Sequence, residues 1–183
     1  KNRRKYEEEL AGSLLLIWQK TGKDWPALER GFREALKTTL AKSFSDAANN
    51  MALRVMLLNS KTIGVETIAR EANQWAYDRA KELAGEIVAT TKDLGDLDEA
   101  RAAMIAATEV TGSVSAGEAG AATWLALKGG KGYHPKWRTE EDALVCEICE
   151  PLNGTGISVY GMVSESGPPA HPNCRCWLEY EED

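Results

Sequence analysis

Four cysteines and one histidine near the end of the chain are the residues best suited to chemistry. Cys146 and Cys149 form a Cys-x2-Cys pair, and His171, Cys174 and Cys176 follow after a glycine-rich loop. A Cys-x2-Cys turn directs two thiolates at one ion, and a second close pair completes the tetrahedron that zinc prefers. The spacing therefore predicts a zinc site that uses four of these five residues.

The fourth ligand is either His171 or Cys176. We favour His171, because His-x2-Cys repeats the spacing of the first pair, whereas alternate residues of a strand point to opposite faces. Two disulfides or buried free thiols are the alternative for the four cysteines. That alternative leaves the clustered histidine unexplained, and no secretory signal accompanies it.

Sequence motifs of catalytic zinc sites are missing around this cluster. Zinc deaminases need a His-x-Glu motif, but Asn173 stands two places after His171, and Lys136 stands two places after His134. The His-Glu-x-x-His motif of zinc proteases is also absent. We therefore expect a closed structural site in a protein that is not an enzyme. A metal-dependent hydrolase or a toxin-like enzyme on the same scaffold is the alternative.

Composition divides the chain into two parts. Residues 1–110 contain 6 of the 16 glycines and one of the 6 prolines, whereas residues 111–183 contain all the others. Residues 131–183 carry 4 basic against 10 acidic side chains, so the net charge of −6 lies there. The pattern predicts a mainly α fold, with a multi-helix body over residues 1–130 and a small zinc-stapled α+β module over residues 131–183.

Apolar spacing of three or four residues predicts the helices of the body. Asp24 before Trp25-Pro26 is a start signal, and Asp96 or Asp98 caps the last helix. The predicted helices contain Leu10–Trp18, about Pro26–Ala41 with Met51, Val55 and Leu58 continuing the pattern, Ile68–Ile87, and Ala100 to about Leu127 before Gly129-Gly130. Three glycines in the last helix, at positions 112, 117 and 120, indicate close packing or a break near position 112.

Shorter elements are predicted in the C-terminal module. Tyr133–Trp137, Ile157–Tyr160 and Cys176–Tyr180 have the composition of strands. Thr139 followed by Asp142 resembles a capping box for one helical turn. A segment with so few large aliphatic side chains needs a staple, and the zinc ion would supply it.

Membrane and DNA binding receive little support from the sequence. The longest apolar run, Leu14–Trp18, is far shorter than the roughly 20 residues of a membrane span, which predicts a soluble protein. The acidic module lacks the basic patch of a DNA-binding surface.

A basic N-terminal arm is the remaining DNA-binding candidate; it comprises Lys1, Arg3, Arg4 and Lys5. The first residue is Lys1 and not Met, which suggests a fragment or a processed piece.

Four segments around the cysteine and histidine cluster form a recognisable signature: Trp137–Asp142, Val145–Cys149, Leu152–Gly154 and Pro168–Cys176. They resemble the C-terminal signature of the phage head morphogenesis family, the Mu F-like minor head proteins. The helical segment Ile105–Thr111 also matches, so the resemblance covers roughly residues 100–178. The chain departs from the family at Ser113 and Val114, where the family usually has Arg-Ala, so no role of that arginine is transferred.

The resemblance implies a minor capsid protein, present in few copies inside the head or at its portal vertex. It implies association with the portal protein and other head proteins, with possible self-association, and a part in assembly or in DNA packaging and exit. The expected location is the virion, after assembly in the cytoplasm of the bacterial host. The resemblance supplies no catalytic residue.

We assign structural roles to several residues outside the zinc ligands. Thr108 and Glu109 lie on the last helix. Glu109 is expected either to be an exposed or locally paired helix residue or to anchor that helix to the module through Arg138 or a backbone N–H. Asp142 is expected to act with Thr139 in the predicted capping box. Three tryptophans, Trp124, Trp137 and Trp177, are expected to pack between the helix and the module, since a nucleic-acid stacking surface would be basic.

Overall fold

The computed structural model describes residues 2–59, 65–129, 132–140, 142 and 145–182. It confirms a mainly α fold with a small α+β end. The long helices are α1 (Asn2–Thr21), α2 (Trp25–Asn59), α3 (Val65–Leu94) and α4 (Glu99–Gly129). The remaining elements are β1 (Tyr133–Arg138), a 3-10 turn (Glu150–Leu152), α5 (Ile157–Tyr160) and β2 (Trp177–Glu182).

Aspartates cap α2 and α4, as the sequence predicts. Asp24 Oδ1 accepts the Ala27 N–H over 3.2 Å at the start of α2. Asp98 Oδ1 accepts the Arg101 N–H over 2.8 Å at the start of α4. The capping residue of α4 is therefore Asp98. Asp96 instead accepts the indole N–H of a tryptophan on α1 over 2.9 Å.

Helix α2 is longer than the sequence predicts. The predicted end near Ala41 is wrong, because the helix continues without interruption to Asn59. Phe44, Ala48 and Met51 keep one face of the helix buried past the predicted end. Burial of this face against the other helices keeps the segment helical beyond the predicted end.

Helix α2 packs against α1, α3 and α4, and these contacts form the main core. Buried leucines and one phenylalanine from α1 and α2 fill it, together with alanines of α3 and α4. Helix α4 has no break near Gly112. A Cβ at Gly117 would overlap the carbonyl oxygen of Phe44, so close packing of α2 against α4 explains that glycine.

A second buried cluster joins the helices to the module. It contains Phe44 and Met51 of α2, Ile68 of α3 and Leu125 of α4. Tyr133 and Tyr180, from β1 and β2, pack against it. The helical body and the module therefore share an apolar contact, and a domain boundary at residue 130 remains a prediction.

The module is built around an antiparallel pair of strands. In the β1–β2 register Trp137 lies opposite Leu178, and both side chains are buried in a third cluster with three of the cysteines. Ile157–Tyr160 forms the one-turn helix α5, so the predicted strand is wrong. Beside β1, Gly156 makes an isolated bridge to Lys136, and the chain then turns away. A segment with strand-forming residues does not become a strand unless a neighbouring strand pairs with it along its length.

One predicted element cannot be compared with the structure. The helical turn predicted from Thr139 and Asp142 falls in part on residues 141, 143 and 144, which lie outside the described residues.

Membrane-spanning helices were also sought. Within the described ranges, no helix is both long enough and apolar enough to cross a bilayer.

Candidate metal centre

The first pair of cysteines lies in one tight turn. The Cys149 N–H donates to the Cys146 carbonyl over 3.0 Å, and the Glu150 N–H donates to the same carbonyl over 2.9 Å. The turn continues directly into the 3-10 turn. Cys149 is buried and Cys146 is partly buried. The backbone thus fixes the separation of the two thiols, as expected for a Cys-x2-Cys pair.

The second group lies in a turn before β2. Asn173 has a φ of 60°, a left-handed conformation that asparagine tolerates better than most residues. His171 Nδ1 lies 2.8 Å from the Pro172 carbonyl oxygen. Because a carbonyl only accepts, Nδ1 carries the hydrogen and the lone pair remains on Nε2. Histidines that bind metals are usually oriented by such a bond from the other ring nitrogen.

The five predicted donors lie in two groups that meet at Cys149. His171 Nε2 lies 3.0 Å from Cys146 Sγ and 3.2 Å from Cys149 Sγ. Cys149 Sγ lies 3.8 Å from Cys174 Sγ, and the sulfurs of Cys149, Cys174 and Cys176 all lie within 4.8 Å of one another. A tetrahedral zinc site has S–S and S–N separations of about 3.8 and about 3.6 Å. The donors therefore form two overlapping groups, Cys146–Cys149–His171 and Cys149–Cys174–Cys176, and each group is compact enough to hold an ion.

The cysteines are free thiols, so the disulfide alternative is not the arrangement seen. A hydrogen bond from Cys176 lowers the pKa of Cys174 to about 5. The same bond raises the pKa of Cys176. Burial, followed by the charge of Cys174, raises the pKa of Cys149 to about 12. One thiolate is thus favoured in the buried group, and further ionisation requires a cation.

The space beside the cluster is too small for an organic substrate. A hollow of about 30 Å³ lies against Cys146, Cys149 and His171, with Glu140 and Arg175 in its walls. Binding pockets for small molecules are about ten to thirty times larger. The geometry thus favours a structural site over a catalytic one.

The comparison with known families agrees with the signature around the cysteines. The profile of the family described as "Phage Mu protein F like protein" matches residues 64–179. The chain belongs to the phage Mu F-like protein family. This is a family of structural phage head proteins and not of enzymes. No curated protein and no solved structure gives a significant match.

Asp142 pairs with an arginine of the second loop, a partner that the sequence did not predict. Its two carboxylate oxygens accept hydrogen bonds from Arg175 over 2.8 and 2.6 Å. Arg175 stands between two of the candidate ligands, Cys174 and Cys176. This bidentate pair connects the loop before the first cysteine with the loop after the histidine.

The three tryptophans differ in their surroundings. Trp137 is fully buried in the module, with its ring centre 5.7 Å from that of Tyr160. Trp124 packs against the cluster that joins α4 to the module. Trp177 remains 37% exposed and belongs to none of the buried clusters, so its predicted packing role is wrong. Trp177 lies opposite Arg138 in the strand register, next to the Trp137–Leu178 pair that faces the core.

Helix α4 holds the histidine–cysteine loop through two threonines. The Asn173 N–H donates to Thr108 Oγ1 over 2.9 Å, and Thr111 Oγ1 donates to the Cys174 carbonyl over 3.2 Å. Sequence reasoning selected Thr108 but missed Thr111. The available signal was the Thr-x-x-Thr spacing, which places both hydroxyls on one face of a helix.

Glu109 does not anchor the module through Arg138. Its two carboxylate oxygens instead accept hydrogen bonds from Arg79 of α3, both over 2.7 Å. Glu109 therefore connects α4 to α3. Arg138 pairs with Glu179 across the β1–β2 ladder over 2.6 Å. The partner Arg138 was wrong because Arg79 and Arg138 lie about equally far from Glu109 along the chain, and only helix packing distinguishes them.

The departure from the usual family sequence lies in the interface of α2 with α4. Ser113 is fully buried and donates to the Val110 carbonyl over 2.9 Å. Its hydroxyl also makes a hydrogen bond with the Ser43 hydroxyl of α2. Val114 packs against the main core. Small or apolar side chains fit this interface.

The N-terminal basic residues form part of α1. Arg3 pairs with Glu7 over 3.1 Å and Arg4 pairs with Glu8 over 3.0 Å. Arg3 also donates to the carbonyls of Arg175 and Cys176 over 3.3 and 3.4 Å. Lys1 lies outside the described residues. The described basic residues thus contact their own chain, which does not favour the DNA-binding alternative.

Proposed function

We propose that this Mu F-like protein is a minor head protein that acts in head morphogenesis at the portal vertex of a phage. It contacts the portal protein and neighbouring head proteins in the virion, after assembly in the cytoplasm of the bacterial host. Its part is structural. The family match over residues 64–179 carries the proposal, because the matched segment contains the whole candidate metal centre.

A zinc ion bound by Cys146, Cys149, His171 and Cys174 stabilises the module in this proposal. The orientation of His171 supports it, since Nε2 lies 3.0 and 3.2 Å from two sulfurs while Nδ1 donates to a carbonyl. Cys176 then donates its S–H to Cys174. The alternative set exchanges His171 for Cys176, and both remain compatible with a closed site.

The module needs such an ion because its own apolar core is small. Trp137, Tyr160, Leu152 and Leu178 are its large buried side chains, and the remaining buried members of its cluster are cysteines. Structural zinc contributes on the order of 10 kcal/mol in small domains of this kind. Once folded, the module rests on α4 and presents one rigid surface together with the helices.

Co-sedimentation tests the assembly role. The chain and the portal protein of the same phage are purified, mixed at near-physiological salt and separated on a gradient. We expect the chain to move with portal rings, whereas a chain that stays at the top of the gradient contradicts portal association. Serum albumin, mixed with the portal rings in the same way, is the control for nonspecific carry-over into the ring fractions. Sedimentation of the chain alone separates self-association from portal binding.

A further inference from the structure

An open groove of about 600 Å³ lies between the end of α4 and the module. Ala122 and Ala126 form the α4 side, and Pro135, Ile157 and Tyr160 form the module side. The volume lies within the range of about 300–1,000 Å³ that is usual for binding pockets. Small side chains on one wall and large apolar ones on the other leave room for apolar side chains of a partner.

The rim of this groove exposes large apolar side chains. Leu127 is 81% exposed and Ile157 is 58% exposed. The segment that follows Ile157 also exposes Val159, Met162 and Val163. Soluble proteins seldom leave apolar side chains concentrated in this way unless the surface binds something. The distribution therefore indicates a docking surface.

The described lining of the groove contains a carboxylate and neither lysine nor arginine. Glu165 lies in its wall, and residues 131–183 carry 4 basic against 10 acidic side chains. The described lysine and arginines of the module are already paired with carboxylates: Lys136 with Glu181, Arg138 with Glu179 and Arg175 with Asp142. A second copy of this chain would bring like charges together, whereas a basic partner would gain favourable contacts.

We propose that this groove binds an apolar segment of another head protein that carries lysine or arginine beside its apolar side chains. The apolar side chains fill the space between Ala122, Ala126 and Tyr160, and a basic side chain faces Glu165. This inference rests on the proposed assembly role and gives it a docking site. The site lies apart from the candidate metal ligands, none of which lines the groove.

Site-specific photo-crosslinking in assembled heads tests the inference. The photoreactive residue p-benzoylphenylalanine replaces Leu127 at the rim in one variant. In the control variant it replaces Leu94, which is 67% exposed at the end of α3 and does not line the groove. Heads are purified, irradiated and digested, and mass spectrometry identifies the crosslinked peptides. The amount of chain in the heads is measured before irradiation.

The inference predicts a crosslink from position 127 to a net-basic, apolar-rich segment of a different head protein, and none to that segment from position 94. We also expect L127D to lower the copy number per head several-fold relative to L94D. A chain that enters heads but gives no crosslink from position 127, or links only to itself or to an acidic segment, overturns the groove assignment alone. A wild-type chain that is absent from heads overturns the assembly role, and the groove assignment with it.

Discussion

Asn173 donates its backbone N–H to the Thr108 hydroxyl over 2.9 Å, which ties the histidine–cysteine loop to α4. The same hydroxyl donates to the Met104 carbonyl over 2.8 Å, so its position is fixed by the helix. The bond joins the helical part and the cysteine part of the Mu F-like match. The candidate metal centre and the packing of α4 are therefore physically connected.

Replacing Thr108 with Val tests this connection. The substitution removes the acceptor for the Asn173 N–H, and we expect a loss of about 1 kcal/mol in the free energy of unfolding. Thr123 is the matched control, since it lies on the same helix, donates to the Ala119 carbonyl over 2.9 Å and is exposed. T123V should change stability by less than about 0.5 kcal/mol. Equal effects of T108V and T123V in urea unfolding contradict the proposed contact.

Replacing Cys149 with Ser tests the role of the metal centre in folding. The loss of one ligand should remove most of the roughly 10 kcal/mol that structural zinc provides, so the module unfolds while the helices persist. Limited proteolysis with mass spectrometry should then show cleavage within residues 131–183. Ile148 is the control: it lies in the same turn and its side chain is 49% exposed, so I148S should remain resistant. A C149S module that resists cleavage as wild type does argues against a stabilising ion.

Replacing Glu109 with Gln tests the connection of α3 to α4. The carboxylate is only 8% exposed and binds Arg79 through both oxygens, so we expect a loss of about 1–3 kcal/mol. The control is E8Q, because Glu8 and Arg4 form an exposed pair that should contribute less than about 0.5 kcal/mol. Thermal and urea unfolding provide the measurement. If E109Q and E8Q have the same stability, the prediction is contradicted.

Two glycine substitutions should change stability in opposite directions. G117A places a methyl group against the Phe44 backbone, so α2 and α4 must move apart, and we expect a loss of about 1–3 kcal/mol. Gly85 lies inside α3 with no atom near the added Cβ, so G85A should stabilise by about 0.5–1 kcal/mol. A shift of both melting temperatures in the same direction contradicts the close packing of α2 and α4.

Much of this architecture was predictable because its signals are local. Apolar periodicity and the aspartates at positions 24 and 98 predicted the helices and two helix starts. The cysteine and histidine spacing predicted the residues of the candidate centre, and the structure places these five in two groups that share Cys149. Each of these signals depends on a turn or on a helix period that neighbouring residues determine by themselves.

The errors concern features that only packing between distant segments decides. Ile157–Tyr160 has strand composition, but β1 and β2 form the sheet without it and the segment turns into α5. Glu109 could have reached several arginines, and the packing of α3 selects Arg79. The end of α2 was missed because the burial of Phe44 depends on α3 and α4. No local pattern contains this information.

X-ray absorption at the zinc edge, on protein purified without chelator, tests the central claim most directly. The account predicts about one equivalent of zinc with four protein ligands, three sulfurs at about 2.3 Å and one nitrogen at about 2.0 Å. A first shell of four sulfurs would mean that Cys176 and not His171 is the fourth ligand, and the site would still be closed. Less than about half an equivalent of zinc, or a first shell with oxygen from water, would contradict a closed structural centre.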